Sequence, residues 1–438
     1  MAKGTQRGRG AGLISLSAAP PRPAVRLALG LRAALRRAAD GLAPPEIAAY
    51  ERSISFFGTR VAGALVELGV VDELGDGNRD AADLAEALGL DAGALHRTLR
   101  FASTQGLTAI DRRGRFSLTA VGRTLRSDAS PTLAPWVRHL NTEAVQRAWA
   151  ALPHSIRTGE PSFPSVHGTS IWAHLAANPE EERLFAESMR ELTALTLAWV
   201  ISGYPWPQEG VIADVAGGSG PVLAGVLAAR PGLRGLLVEA PGVLEEAKGH
   251  LGAAGVLERV ELREGDMFER IDAAADVYVL KDILHDWDDE RSLQILRTVG
   301  EAMRPGSRLV LVETLLDRNE ADPIATSVDL HMLTQCDGGR QRSVEELQAL
   351  IREAGLRPGA VHRTGGPGLI EALASRQLLH PAARGGASAS PRGRGRRGGG
   401  PADTQVGGRE DSSRGPKPLR GRRTEAVPPP LRPRANGR

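Results

Sequence analysis

The sequence predicts an α/β protein whose core is a doubly wound, mostly parallel sheet with an antiparallel edge, preceded by a mainly helical N-terminal domain. Three observations support this prediction. Short apolar runs alternate with helical segments from residue 211 onward, helical periodicity followed by a hairpin pattern occupies residues 45–145, and a glycine-rich turn follows the first apolar run. Strands that are buried on both faces have this continuous apolar character.

Composition limits the classes of protein that this chain can be. Its 438 residues are enough for two or three domains. Cys336 is the single cysteine, which excludes an internal disulfide framework and a cysteine-based zinc site. No apolar run reaches the roughly 18 residues that a membrane span requires, and the apolar stretch at 13–16 is too short for a secretory signal. We therefore expect a cytoplasmic protein with no membrane association.

Charge and composition divide the chain into five segments. Residues 1–40 carry eight Lys/Arg and one acid, and residues 381–438 carry fourteen Lys/Arg and four acids. Both segments have few apolar side chains, so we expect disordered extensions. Because the whole chain has a net charge of +3, residues 41–380 have a net charge of −14, which argues against a nucleic-acid partner. We expect that core to comprise an N-terminal domain (41–145), a helical linker that contributes to a pocket (146–205) and a sheet domain (206–380).

The N-terminal domain is predicted to contain two short helices followed by a hairpin with Arg113–Gly114 at its turn, which is a winged-helix pattern. In a DNA-binding protein the helix at 91–104 would contact the bases. That helix carries only His96, Arg97 and Arg100 as basic or titratable groups. We therefore favour a dimerisation or substrate-covering module over DNA binding.

Five apolar runs separated by helical segments predict the strands of the sheet domain. They are VIADVA (211–216), GLLVEA (235–240), VELREG (260–265), DVYVLKD (276–282) and RLVLVET (308–314). After Gly355, the segments RPGAVHRT and LIEALAS predict a closing hairpin, and hence the antiparallel edge.

The first strand ends in a glycine-rich turn with the pattern D-x-x-G-G-x-G, formed by Asp214, Gly217, Gly218 and Gly220. Glycine lets the backbone turn tightly and approach a ligand, and the helix that begins near Pro221 offers free N–H groups. The spacing differs from the dinucleotide pattern, and an acid suits a cation better than a pyrophosphate. S-adenosylmethionine, which carries a sulfonium and an ammonium group, meets these requirements.

Acids also end the next two strands. Glu239 can accept hydrogen bonds from both ribose hydroxyls, and Asp266 can accept one from an adenine amino group, with Met267 against the ring. Because the carboxyl ends of parallel strands share one edge, we expect these residues to lie along the same rim as Asp214.

The motifs DVAGGSG, LLVEAPGV, GDMFE, LKDILHDWDDE and GGRQRS together resemble the plant-type and bacterial small-molecule O-methyltransferases, such as the caffeic acid, acetylserotonin, hydroxyneurosporene and anthracycline enzymes. The resemblance covers roughly residues 45–375. It implies a Rossmann-like methyltransferase sheet and a winged-helix dimerisation domain, in a homodimer with interleaved N-terminal helices. It also implies transfer of a methyl group from S-adenosylmethionine to a hydroxyl of an aromatic or polyketide-like small molecule.

Within LKDILHDWDDE, His285 follows the fourth strand at the ligand rim, where a neutral imidazole can take a proton from a hydroxyl. The resemblance implies that His285 is the general base and that Lys281 helps to hold the adenosine. Glu313 matches an acid that orients the base in the family. Gln341 stands where the plant enzymes have a second acid, so it can form a hydrogen bond but carries no charge.

The resemblance also assigns five residues to the substrate pocket, namely Phe185, Met189, Met332, Gln335 and Cys336. No metal is expected, because the acids at 286–289 are better explained as helix caps than as magnesium ligands.

Two other functions remain open. The same fold performs hydroxylation or decarboxylation in one branch of the family, and that chemistry needs no base, so activity would survive His285→Ala. A winged-helix regulator that senses the cofactor would bind DNA with steep salt dependence, which the acidic core disfavours.

Overall fold

We analysed a computed structural model, which describes residues 19–272, 274–317 and 322–374. The predicted tail at 381–438 lies outside these residues. None of the helices in the described part of the chain is long and apolar enough to cross a membrane.

The N-terminal region is helical with one hairpin, as predicted. Its elements are α1 (Arg22–Asp40), α2 (Pro45–Ser53), α3 (Phe56–Glu67), α4 (Val70–Leu74), α5 (Ala81–Leu88), α6 (Ala92–Thr104), β1 (Thr108–Ile110), β2 (Phe116–Leu118) and α7 (Ala120–Arg123). β1 and β2 pair antiparallel. Gly114 adopts a φ of +80° at the turn, and the Asp111 carboxylate accepts hydrogen bonds from the backbone N–H groups of Arg113 and Arg115.

Helix α1 corrects the expectation that residues 1–40 are disordered. The basic composition concealed leucines at 27, 31 and 35, whose four-residue spacing forms one stripe on a helix of good helix formers. The helix buries none of its residues, and these leucines are 59–74% exposed. Residues 1–18 lie outside the described part of the chain.

Six helices connect this region to the sheet. They are α8 (Ala134–Leu140), α9 (Glu143–Ala150), α10 (Leu152–Thr158), α11 (Ser162–His167), α12 (Ile171–Ala177) and α13 (Pro179–Gly203). The predicted boundary at 145/146 falls inside α9.

The sheet domain contains seven strands, which confirms the predicted fold class. Its elements are β3 (Glu209–Val215), α14 (Pro221–Ala229), β4 (Gly232–Glu239), α15 (Pro241–Ala253), β5 (Val260–Glu264), β6 (Val277–Lys281), α16 (Asp289–Ala302), β7 (Arg308–Glu313), α17 (Pro323–Gln335), α18 (Val344–Glu353), β8 (Arg357–Arg363) and β9 (Gly368–Leu373). Short 3₁₀ turns occupy Leu257–Arg259 and Leu284–Asp286.

The strand order is β5-β4-β3-β6-β7-β9-β8. The first five of these are parallel, and β9 pairs antiparallel with both β7 and β8. The chain leaves β3 in one direction toward β4 and β5 and then returns to β6 on the other side. The crevice outside the carboxyl ends of β3 and β6 is therefore the switch point at which such sheets bind ligands.

Alternate strand residues face two separate cores. Leu309 and Leu311 of β7 pack with α16 and α18, whereas Val310 and Val312 pack with α13, α14 and α15. This two-residue alternation, with helices on both faces, holds the loops of the carboxyl edge on a rigid base.

Candidate active site

The glycine-rich turn after β3 has a backbone that few other sequences could adopt. Ala216, Gly218 and Gly220 have φ values of +55°, +59° and +77°. A Cβ at Gly217 would lie 2.4 Å from the carboxyl carbon of Asp214. The turn thus lies directly on the Asp214 side chain and exposes its backbone toward the carboxyl edge.

Asp214 is buried beneath this turn with 1% exposure. No described group donates a hydrogen bond of ordinary geometry to either carboxylate oxygen, although the backbone N–H of Leu223 lies close enough to lower the pKa of Asp214. Burial raises the pKa of Asp214 to about 7, against the attraction of the Lys281 ammonium. A buried carboxylate without a partner is costly, and a cation bound close by would offset that cost.

Glu239 is tied to the same turn from the neighbouring strand. Its Oε1 accepts from the Gly218 N–H at 3.2 Å, and its Oε2 accepts from the Ala240 N–H. Burial raises its pKa, although both backbone hydrogen bonds lower it. The acid that was predicted for the ribose therefore also sets the position of the glycine turn.

The other predicted cofactor residues lie at the same edge. Asp266 is exposed and accepts from the Phe268 N–H at 2.8 Å, and Met267 packs half-buried against the core. The Lys281 side chain is 8% exposed and forms an ion pair with Asp282. Sequence reasoning missed Asp282, whose φ of +52° marks a strained residue at the end of β6.

His285 lies on the 3₁₀ turn after β6, with its imidazole 14% exposed. Its Nδ1 lies 3.4 Å from Glu313 Oε2 and 3.0 Å from Gln341 Nε2. Its Nε2 lies 3.4 Å from Asp286 Oδ1. The structure therefore brings together the three residues that were predicted as catalytic.

The charges around His285 favour its protonated form. Burial lowers the pKa of His285, but the carboxylates of Asp286, Glu313 and Asp282 outweigh it, so the pKa lies above its usual value. Burial raises the pKa of Glu313 to about 7 and that of Asp286 to about 6. The imidazole can therefore accept a proton in a site that is otherwise largely closed to water.

The amide of Gln341 influences which nitrogen of His285 carries the proton. Nε2 of Gln341 faces Nδ1 of His285 at 3.0 Å, while Oε1 has no partner among the described residues. A rotation of the amide by half a turn brings Oε1 to Nδ1, where it can accept a hydrogen bond. His285 then carries its proton on Nδ1, between Gln341 and Glu313, and Nε2 is free to accept.

The acids that follow His285 do not share one role. Asp288 caps α16 by accepting from the Arg291 N–H at 2.8 Å, as expected from the sequence. Asp286 was wrongly grouped with the caps, because its carboxylate faces His285 and accepts from the Cys336 thiol at 3.8 Å. Asp286 lies on the same 3₁₀ turn as His285, and this turn brings its carboxylate to the imidazole. The spacing of the two residues in the sequence does not reveal this contact.

Four of the five predicted pocket residues are buried or belong to one hydrophobic cluster. Phe185, Met332 and Cys336 pack together with Trp172 and Val328. Gln335 is 3% exposed and donates to Thr334 Oγ1, and its own Oε1 has no partner in the described part of the chain. Met189 is half-buried on α13.

Aromatic side chains connect the linker helices to the catalytic segment. Trp172 stacks on Trp287 with ring centroids 5.7 Å apart, and Trp149 donates to Nδ1 of His331 at 3.1 Å. Burial lowers the pKa of His139 to about 4 and that of His331 to about 3, so both rings are neutral near pH 7. These two histidines were not predicted, since isolated histidines in helices carry no recognisable pattern.

Asp282, His285 and Glu313 each present a ligand atom, and these atoms lie within 4.8 Å of one another. Such spacing would suit a metal ion. The Lys281 ammonium already neutralises Asp282, and Glu313 Oε1 accepts from the N–H groups of Ile283 and Leu284. We therefore assign the cluster to orientation of the imidazole.

Two family models match the chain, an O-methyltransferase domain at residues 149–357 and an O-methyltransferase dimerisation domain at residues 54–128. O-demethylpuromycin-O-methyltransferase of Streptomyces alboniger is 38% identical over 71% of this chain and 84% of that protein. Mitomycin biosynthesis 6-O-methyltransferase of Streptomyces lavendulae is 39% identical over 67% of this chain and 83% of that protein.

Solved structures agree with these matches. The mitomycin 7-O-methyltransferase MmcR superimposes with a TM-score of 0.70 at 36% identity, over 78% of this chain and all of that chain. NcsB1, solved with S-adenosylmethionine and 2-hydroxy-5-methyl naphthoic acid, superimposes with a TM-score of 0.63 at 33% identity, over 72% and 96% of the two chains.

Proposed function

The chain belongs to the O-methyltransferase family, whose members use S-adenosylmethionine, and from that premise we propose that His285 is its general base. We further propose that the acceptor is a hydroxyl group on an aromatic or polyketide-like small molecule. One observation carries the first proposal, which is that Glu313 and Gln341 both face Nδ1 of a buried imidazole.

The two imidazole nitrogens of His285 have different roles in this proposal. Glu313 and Gln341 hold the proton of His285 at Nδ1, so Nε2 accepts the proton of the acceptor hydroxyl as its oxygen attacks. The carboxylates of Glu313 and Asp286 stabilise the imidazolium that results. S-adenosylmethionine, when bound, supplies the electrophilic methyl group.

The residues of the cofactor edge fit that group. Asp214 lacks a partner and suits a nearby positive charge, and Glu239 is placed to accept from ribose hydroxyls beside the glycine turn. Asp266, Met267 and Lys281 complete the adenosine side in this proposal. The positive φ angles of Gly218 and Gly220 form a tight turn whose backbone can approach the ligand closely.

Two observations support an aromatic acceptor. The relatives act on ring systems, as the names of the naphthoate, phenazine and aminohydroxybenzoate enzymes state. In this chain Phe185, Met332 and Trp172 form an apolar cluster that includes Cys336, the residue that contacts Asp286. A flat apolar ring would pack well against such side chains.

We also propose that the protein is a homodimer through its N-terminal region. The dimerisation model covers residues 54–128, and within it Phe56 and Phe57 are 60% and 43% exposed. Burial of such rings between two copies would stabilise the dimer by the hydrophobic effect.

The test compares His285→Ala with wild type in two measurements. Calorimetry with S-adenosylmethionine should give the same affinity for both proteins, whereas loss of binding in Asp214→Ala and Glu239→Ala would verify the cofactor residues. A screen of phenolic acceptors should show kcat lower by about 10²- to 10⁴-fold in His285→Ala, the usual contribution of a general base.

His96→Ala is the matched control, because His96 is an exposed histidine of the N-terminal region, and it should keep the wild-type rate. A His285→Ala enzyme with the full rate would refute the base role. It would favour transfer driven by proximity, or the hydroxylation and decarboxylation chemistry that needs no base.

A further inference from the structure

Arg342 is a buried cation close to the turn that carries His285. Its side chain is 1% exposed, and its Nη1 donates to the Leu284 carbonyl at 2.5 Å. Its Nη2 donates to the Trp287 carbonyl at 2.7 Å, and its Nε donates to Asp289 at 3.0 Å. One guanidinium group thus spans both ends of the short segment that contains His285.

The opposite side of the same turn is held by Glu313. Its Oε1 accepts from the N–H groups of Ile283 and Leu284 at 3.3 and 2.9 Å. The His285 carbonyl accepts from the Arg340 N–H at 2.8 Å. Backbone donors and acceptors of the turn are therefore both bound, and its rotation relative to the sheet is fixed.

The guanidinium group has properties that suit this task. Its planar fork holds two acceptors in fixed directions, whereas a lysine ammonium is a point charge on a flexible chain. A buried cation needs partners, and the Asp289 side chain that pairs with Arg342 is 54% exposed and so only partly compensates the burial.

We propose that Arg342 is a positioning residue for catalysis, which holds the Leu284–Trp287 turn so that the His285 imidazole points at the acceptor hydroxyl. This inference rests on the proposed function of His285 as the base. A small misplacement of a catalytic group lowers the rate far more than it lowers binding.

Arg259 provides a matched control elsewhere in the same domain. Its guanidinium group also donates to backbone carbonyls, those of Leu227, Pro231 and Leu233, at 2.9 to 3.2 Å. These carbonyls precede or begin β4, at the edge of the sheet opposite to the ligand rim. Arg259→Lys should therefore lower the thermal midpoint and leave kcat unchanged.

The experiment measures kcat, acceptor KM and S-adenosylmethionine affinity for Arg342→Lys, alone and combined with His285→Ala. Arg342→Lys should lower kcat by about 10- to 100-fold, the loss expected for a misplacement of about 1 Å, with cofactor affinity and KM within about threefold of wild type. In the His285→Ala background it should have no further effect on kcat, because the group that it positions is gone.

A merely structural role gives different results. An unchanged kcat in Arg342→Lys, or an equal loss with and without His285, would overturn the proposal. If Arg342→Lys does not fold, Asp289→Asn loosens the same guanidinium from the surface, and it should lower kcat a fewfold only while His285 is present. A His285→Ala enzyme with the wild-type rate would instead refute the base role itself, whatever the Arg342 variants show.

Discussion

The glycine turn after β3 and the His285 turn after β6 lie side by side at the switch point of the sheet, yet they are stabilised in opposite ways. The glycine turn covers Asp214, a buried acid with no hydrogen-bond partner among the described residues. The His285 turn is bound by Glu313 on its N–H side and by Arg342 on its carbonyl side. The first region thus leaves a buried carboxylate without a close hydrogen bond, whereas the backbone of the second is bound on both sides.

This difference separates the turn that is proposed to bind the cofactor from the turn that is proposed to carry the base. A turn with an uncompensated acid gains stability when a cation binds, so its free energy is coupled to cofactor concentration. A catalytic turn gains from rigidity, because preorganised groups do not have to be ordered at the moment of reaction. Variants of the two turns should therefore change different measured quantities, binding in one and kcat in the other.

Glu313→Gln should have the largest effect among the variants that test this contrast. It keeps an oxygen for the N–H groups of Ile283 and Leu284 but removes the charge beside Nδ1. We expect kcat to fall by roughly 10- to 100-fold, because the imidazolium loses an adjacent buried negative charge, with unchanged cofactor affinity by calorimetry. A loss of affinity as large as the loss of kcat would show that the two turns are not independent.

Gly217→Ala should affect binding alone. The new Cβ would lie 2.4 Å from the Asp214 carboxyl carbon, and either the turn or the acid must move. Overpacking of this kind costs about 1–3 kcal/mol, so S-adenosylmethionine affinity should fall by roughly 10- to 100-fold. Gly249→Ala is the control, because a Cβ there meets no atom within 4 Å, and unchanged binding in Gly217→Ala would contradict the structure of the turn.

Cofactor affinity should also depend on pH through Asp214. The pKa of this acid is about 7 before binding, and a bound cation favours its ionised form. Affinity should therefore be constant above pH 7 and fall as the pH decreases below it, by at most about tenfold per unit, with release of a proton. Calorimetry in buffers of different ionisation enthalpy measures that proton, and Asp214→Asn should abolish both effects.

Gln341→Glu should have the smallest effect and should act on the pH profile. A second carboxylate near Nδ1 raises the pKa of His285 further, and protonated His285 cannot accept a proton. The acid limb of kcat should therefore move to higher pH, while the plateau rises by only a fewfold. An acid limb that stays at the wild-type pH would show that residue 341 does not face the imidazole.

The sequence predicted the sheet and its ligand edge well because both follow from local patterns. Apolar runs located β3 to β7, and the D-x-x-G-G-x-G spacing located a turn whose φ values require glycine at two positions. Helix α1 was missed because the basic composition of residues 1–40 concealed the four-residue spacing of Leu27, Leu31 and Leu35.

The contacts that orient His285 could be predicted only in part. Glu313 was found because it ends a strand, and Gln341 because it matches a family position. Asp286 was grouped with the helix caps and Arg342 was given no role, since both roles depend on how the turn after β6 folds back and on which segment packs against it. Contacts between segments that are far apart in the chain produce no periodic pattern in a single sequence.

The antiparallel insertion of β9 between β7 and β8 has a consequence for synthesis on the ribosome. β7 ends at Glu313, but the strand that pairs with its outer edge begins only at Gly368. At about 5–20 residues per second the edge stays open for several seconds after β7 emerges. During that interval an apolar strand with unpaired backbone groups is available to other chains. The nascent polypeptide is therefore open to aggregation at this edge after the segment with His285 has been made and before β9 closes the sheet.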